Sequence, residues 1–184
     1  MSPTREGLTS SKGEIRKMGK TNLVLIGMPA SGKSTVGVIL AKVIGYDFID
    51  TDILIQKSEK KRLARIIQEK GVDGFLEIEN RVNASVEADN CIIATGGSAV
   101  YGEEAMRHFK EIGHIIYLKV DYETLSKRLK NIQQRGVALK KGQTLRDLYD
   151  ERVVLDEKYA DTVIEEEGDA EDIVVKILKR IEEG

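Results

Sequence analysis

Two glycines with four residues between them, then a lysine and a hydroxyl, make Gly27-Met-Pro-Ala-Ser-Gly32-Lys33-Ser34 the stretch best suited to chemistry. This is the spacing of a phosphate-binding P-loop. Backbone N–H groups from Ala30 through Ser31 and Gly32 to Ser34 can form an anion-binding nest, strengthened by the positive end of a following helix. Gly27 and Gly32 permit the backbone geometry and a close approach of phosphate oxygens, and Lys33 supplies a point charge. Ser34 offers a hydroxyl to Mg²⁺, and Thr35 completes the nucleotide-binding set. A second pair, Asp50 and Asp52, ends the run "FIDTD". One of these carboxylates can hold Mg²⁺ through its water shell while the other takes a proton from an attacking hydroxyl. The alternative for Asp52 is a helix N-cap before "ILIQK". A third point, Gly96-Gly97 in "IIATGGSAV", lets backbone amides approach a small ligand or forms a plain turn.

These points need elements to hold them. Short apolar runs at 22–27, 46–50, 91–95, 114–120 and 161–165 read as buried strands. Helical spacing marks 33–44, 75–88, 103–111, 122–131 and 143–159 between them. Strands separated by helices imply crossovers, hence an α/β fold with a parallel sheet covered on both faces. Ligands in such sheets sit outside the carboxyl ends of the strands, which is where all three points fall.

Composition narrows the partners. A chain of 184 residues with 41% hydrophobic residues fits one domain with a sizeable core. The 29 basic and 31 acidic residues nearly cancel, so no global field favours nucleic acid or an anionic membrane. The single cysteine, Cys91, rules out an internal disulfide and suits a reducing compartment. No apolar run approaches the roughly 20 residues of a membrane helix. The expectation is a cytoplasmic monomer acting on a small molecule, with residues 1–20 a disordered tail and 21–184 the domain. Between Leu129 and Arg146 every charge is positive, including Arg135, and Gly136 and Gly142 are candidate hinges. That pattern suits a basic lid over about 129–146 that closes on phosphates and excludes water, or else an ordinary solvated basic face.

Taken in order, "GMPASGKSTVG", "FIDTD", "GVDGFLEIEN", "IIATGGSAV", the basic segment around Arg135 and "ERVVLDEKYAD" resemble the shikimate kinase family from about Asn22 to Ile181. The resemblance implies a P-loop kinase-type three-layer fold with five parallel strands in the order 2-3-1-4-5. It implies transfer of the ATP γ-phosphoryl group to a ring hydroxyl of shikimate, with Mg²⁺. By the same resemblance Ser34 and Asp50 hold the metal and Lys33, Asp52 and Arg135 are catalytic. Arg128 lies against adenine, while Asp52, Gly96, Gly97 and Arg152 meet the acceptor. The chain departs from the family where Leu76 replaces an arginine that grips the acceptor carboxylate and Ser98 replaces a third glycine. The lid arginine is followed by Gly-Val-Ala and not by the family's proline-containing stretch. A kinase for another small polyhydroxylated or hydroxy-acid metabolite is therefore the alternative. A nucleotide-binding module without transfer chemistry has no need of Asp52 beside Lys33, Asp50 and Arg135.

Overall fold

The computed structural model describes residue 13, residues 20–129 and residues 137–183. Most of the expected tail and residues 130–136, Arg135 among them, lie outside the described residues. The elements run β1 (Asn22–Ile26), α1 (Lys33–Ile44), β2 (Asp47–Asp50), α2 (Thr51–Glu59), α3 (Leu63–Ala84), β3 (Cys91–Ala94), a 3₁₀ turn (Ala99–Tyr101), α4 (Glu103–Ile112), β4 (Gly113–Lys119), α5 (Tyr122–Arg128), α6 (Leu145–Tyr159), β5 (Thr162–Glu165) and α7 (Ala170–Glu183).

The five strands form one parallel sheet in the order β2-β3-β1-β4-β5, as the resemblance implies. Every residue of β1 and β3 is buried, because helices cover both faces. Strand residues alternate between the two faces. Leu23 and Leu25 pack with Val36, Leu40 and Ile44 of α1 and Ile173 and Ile177 of α7 on one side. Val24 and Ile26 pack with Met106 and Phe109 of α4 on the other, where Leu155 and Tyr159 of α6 close the layer. Asn22 bolts the amino-terminal rim of the sheet. Its Nδ2 donates to the carbonyls of Ala88 (2.8 Å) and Ile112 (2.9 Å), while its Oδ1 accepts from the Cys91 amide (3.0 Å).

Two elements differ from the sequence reading. The helix expected over 75–88 is the second half of α3, which begins at Leu63 and breaks at Gly71 (φ 72°, ψ 177°). A residue other than glycine would be strained there, so Gly71 lets two helical pieces meet at an angle. The second difference is α2, whose cap is Asp50 and not Asp52: Asp50 Oδ1 accepts from the amides of Asp52 (3.0 Å) and Ile53 (3.4 Å). Among the described residues no helix is long and apolar enough to cross a membrane.

Candidate active site

The P-loop follows β1. Gly27 takes φ 139°, and a Cβ there would lie 2.7 Å from the Leu118 carbonyl oxygen, so the turn out of the sheet requires glycine. Ala30 (φ 63°) and Gly32 (φ 79°) turn the chain again. Gly32 then caps α1 without any side-chain bond, which leaves first-turn amides for an anion. Lys33 is buried, and its Nζ donates to the carbonyls of Gly27 and Met28 (both 2.8 Å) and to Ser31 Oγ (3.3 Å). Burial lowers its pKa, opposed chiefly by the Asp156 carboxylate and then by Asp52. Gly27 and Ser31 thus shape and anchor the loop, whereas Ala30, Gly32, Lys33, Ser34 and Thr35 line the cleft above it.

β2 is not the neighbour of β1, since β3 lies between them. Asp50 nevertheless reaches the loop, and its Oδ2 accepts a hydrogen bond from Ser34 Oγ at 2.7 Å. A hydroxyl and a carboxylate in contact beside free amides suit Mg²⁺, a hard cation that keeps several waters and takes its other ligands from phosphate. Among the described residues no group of three or more His, Cys, Asp and Glu is placed to hold a metal ion by itself. Because Asp50 does the capping, Asp52 is left to face the cleft. Burial, with help from the Asp50 charge, pushes the Asp52 carboxyl up to about 6, while Lys33 pulls it back. A carboxylate in that range is a competent base near neutral pH.

The far wall of the cleft, which encloses about 460 Å³, comes from Phe75 and Glu79 of α3, from Thr95, Gly97 and Ser98 after β3, and from Arg152 of α6. Gly97 joins the two walls: a Cβ there would meet Pro29 Cδ at 2.5 Å, so the backbone after β3 backs directly onto the P-loop. Gly97→Ala should therefore displace the P-loop and weaken ATP binding about tenfold or more, which nucleotide titration would read. Gly96 does not line the cleft. Its amide donates to Thr51 Oγ1 (3.3 Å), and a Cβ there would lie 2.2 Å from Glu79 Oε1 and 2.7 Å from Asp52 Oδ1, so it acts as a spacer between two carboxylates.

Arg152 is 1% exposed. Its Nη2 donates to the Ala138 carbonyl (3.2 Å) and its Cζ stands 5.3 Å from the centroid of the Tyr101 ring. Nε and Nη1 are buried without a partner, an arrangement that suits the carboxylate of a ligand. Leu76 does not reach this wall. It packs on the apolar cluster of Ile55, Ile66, Phe75 and Ile78, and the α3 side chains that line the cleft are Leu63, Phe75 and Glu79. Asn80 turns to α4 and accepts from the Ala105 amide (3.0 Å).

Glu79 is a site residue the sequence reading passed over. It is 1% exposed; its Oε2 accepts from Ser98 Oγ at 2.5 Å, and its Oε1 has no partner. Burial drives its carboxyl up to about 7, against the Ser98 hydrogen bond, which stabilises the charged form. Its stability contribution is fully present below the carboxyl's unfolded pKa and is lost as pH rises through about 7. Glu79→Gln should melt close to wild type at about pH 4.5 and be more stable by on the order of 3 kcal/mol at about pH 8.5, as read by thermal unfolding of the ligand-free protein.

Arg128 adjoins the P-loop from α5. Its Nη1 donates to the Ala30 carbonyl (3.2 Å) and to both carboxylate oxygens of Glu166 (2.9 and 2.7 Å). Of the sequence-predicted residues, Ala30, Gly32, Lys33, Ser34, Thr35, Asp52, Gly97 and Arg152 line the cleft, Gly27, Ser31 and Gly96 frame it, Asp50 and Arg128 join it through Ser34 and the Ala30 carbonyl, and Arg135 lies outside the described residues.

The same arrangement of sequence recurs in known proteins. The shikimate kinase family profile matches residues 29–182. A shikimate kinase from Persephonella marina is 36% identical over 162 residues, covering 87% of this chain and 98% of that protein. One from Clostridium botulinum (strain 657 / Type Ba4) is 41% identical over 147 residues, covering 78% and 86%. The structure of the Acinetobacter baumannii shikimate kinase in complex with shikimate superposes with a TM-score of 0.79 at 30% identity, covering 93% of this chain and 96% of that one. With the profile spanning most of the chain and whole-length relatives above 30% identity, this chain belongs to the shikimate kinase family.

Proposed function

We propose that the protein transfers the γ-phosphoryl group of ATP to a ring hydroxyl of shikimate. The observation that carries this reading is the cleft that joins a P-loop to a deprotonatable Asp52 and to an Arg152 with two unpartnered nitrogens. Family membership and the shikimate-bound relative support the same acceptor. Arg152 anchors the acceptor carboxylate, which turns a hydroxyl toward Asp52. Asp52 takes the hydroxyl proton as the oxygen attacks; a new P–O bond forms, the bond from the γ-phosphorus to the β-γ bridging oxygen breaks, and ADP leaves. Lys33 leaves its P-loop carbonyls to meet the charge that develops on the transferred group. Mg²⁺ at Ser34 and Asp50 neutralises phosphate charge when bound. Arg128, at the Ala30 carbonyl beside the P-loop, flanks the nucleotide base. The net charge of −2 gives no global field toward nucleic acid or an anionic membrane, which supports a small-molecule partner.

An ADP-release assay across shikimate, quinate and gluconate tests this directly. Shikimate should give the highest kcat/KM, and turnover of another acid with none of shikimate would move the protein to a different acceptor within the family. Leu76 gives a second test. The leucine stops short of the cleft, and the longer side chain of an arginine at 76, one turn before Glu79 on α3, would bring a second cation to the acceptor carboxylate. Leu76→Arg should lower the KM for shikimate about tenfold. No gain with shikimate beside a marked loss with another acceptor would favour the second substrate.

A further inference from the structure

The sheet order divides the ligand crevice in two. Asp52 follows β2, and Thr95, Gly97 and Ser98 follow β3, so the acceptor half of the cleft lies over the strands on one side of β1. A nucleotide whose phosphates sit on the P-loop after β1 is left with the other side, over the carboxyl ends of β4 and β5. Arg128, the last residue of α5, and Glu166, the first residue after β5, meet there. Glu166 is held in place: its amide donates to the Lys119 carbonyl at the end of β4 (2.8 Å), and its side chain is only 6% exposed. A Cβ on Gly32 would lie 3.2 Å from Glu166 Oε1, so the carboxylate abuts the P-loop. An anion this deeply buried beside an anion-binding loop is unfavourable unless a cation compensates it, and Arg128 is that cation.

The hydrogen bonds from Arg128 to Glu166 and to the Ala30 carbonyl all leave from Nη1, so one edge of the planar guanidinium is pinned between the P-loop and the end of β5. The rest stays open, with 38% of the side chain exposed. A pinned edge beside an open face suits a guanidinium that stacks on a flat aromatic ring, and a plane already fixed loses less conformational freedom when the ring docks. We infer that Glu166 is a positioning residue for the nucleotide: it holds the Arg128 plane ready for the base and so sets how much of the affinity the base contributes. It acts through Arg128 and touches no reacting atom. This role rests on the placement of the base against Arg128 given above, and it holds whichever acceptor is phosphorylated.

The test measures the affinities of ADP and of inorganic pyrophosphate by calorimetry, each with Mg²⁺. The proteins are wild type, Glu166→Ala, Glu166→Gln, Arg128→Ala and the double variant Arg128→Ala/Glu166→Ala. Removing either charge also changes the field at the phosphates, but in the same direction for both ligands, so the ratio of the two affinities isolates the base. The ratio of ADP to pyrophosphate affinity should fall about tenfold in Glu166→Ala and about threefold in Glu166→Gln, which keeps one oxygen to accept from Nη1. Arg128→Ala should lower it at least as far as Glu166→Ala, and the double variant no further than Arg128→Ala alone, because both changes break one device. An ion pair that merely ties α5 to the end of β5 would lower the melting temperature without moving the ratio, and that result would overturn the role. So would a ratio that rises, or effects that add in the double variant. Pyrophosphate binding shows that the P-loop is intact, and Glu166→Gln, close to wild type in shape, decides alone if the alanine variants fail to bind it. If Arg128→Ala leaves the ratio unchanged, the base does not lie on Arg128, and the placement and the role of Glu166 fall together. If it lowers the ratio while neither Glu166 variant does, the placement stands and the role of Glu166 falls.

Discussion

Lys33→Ala should lower kcat by about a thousandfold or more, with the protein still folded. The magnitude is that of removing a preorganised positive group from charge that develops in the transition state. The structure also explains why folding should survive. Lys33 is buried at a cost, since its pKa is lowered by desolvation, and its bonds to the Gly27 and Met28 carbonyls stay within the loop and hold no distant element. Steady-state kinetics beside a thermal melt separate the two effects. Near-wild-type turnover in a folded variant would remove Lys33 from the chemistry, whereas loss of both turnover and the melting transition would make it a structural residue.

Asp52→Asn should reduce kcat by about a hundred- to ten-thousandfold, the range of a positioned general base, and change the KM for ATP by less than about threefold. Asparagine keeps the shape of the side chain and cannot take the acceptor proton. Asp50, not Asp52, caps α2 and bonds Ser34, so neither the helix start nor the proposed Mg²⁺ site loses a contact. The pH dependence adds a second signature. The wild-type rate should fall on the acid side around the Asp52 pKa of about 6, as the base becomes protonated, and the residual rate of the variant should lack that limb. A large loss of ATP affinity with kcat intact would reassign Asp52 to the nucleotide side of the cleft.

How far the sequence carries depends on how local each feature is. The P-loop is legible because its glycines, lysine and hydroxyl act through neighbouring residues, with a strand before and a helix after. The roles of Asp50 and Asp52 are not separable in sequence, because they turn on where α2 starts, and helix ends shift by a residue or two. One residue decides which carboxylate is consumed as a cap and which is left to face the cleft. The start of α3 is hidden for a different reason: the charged run before Gly71 lacks a clear apolar stripe, and the left-handed glycine splits the pattern. Glu79 follows Phe75 by one turn, so the phase of α3 could have found it once Phe75 was placed in the wall. Asp156 could not be found that way. Its burial depends on how α6 packs against the sheet, which no local pattern in the sequence records.

The bolt at Asn22 has a consequence for how motion is distributed along the sheet. One amide ties together the start of β1, the start of β3 and the chain segments that lead into β3 and β4, all at the rim opposite the cleft. That rim should be among the last regions to open. Native-state hydrogen exchange should find the Leu23, Cys91 and Ile115 amides exchanging only through global unfolding, while amides around Ala30 and Gly97 exchange through smaller local openings. Breathing is thereby confined to the carboxyl ends of the strands, where a kinase must admit two ligands and release two products. Asn22→Ala should erase the contrast by letting the far rim open locally, with little direct effect on the groups that line the cleft.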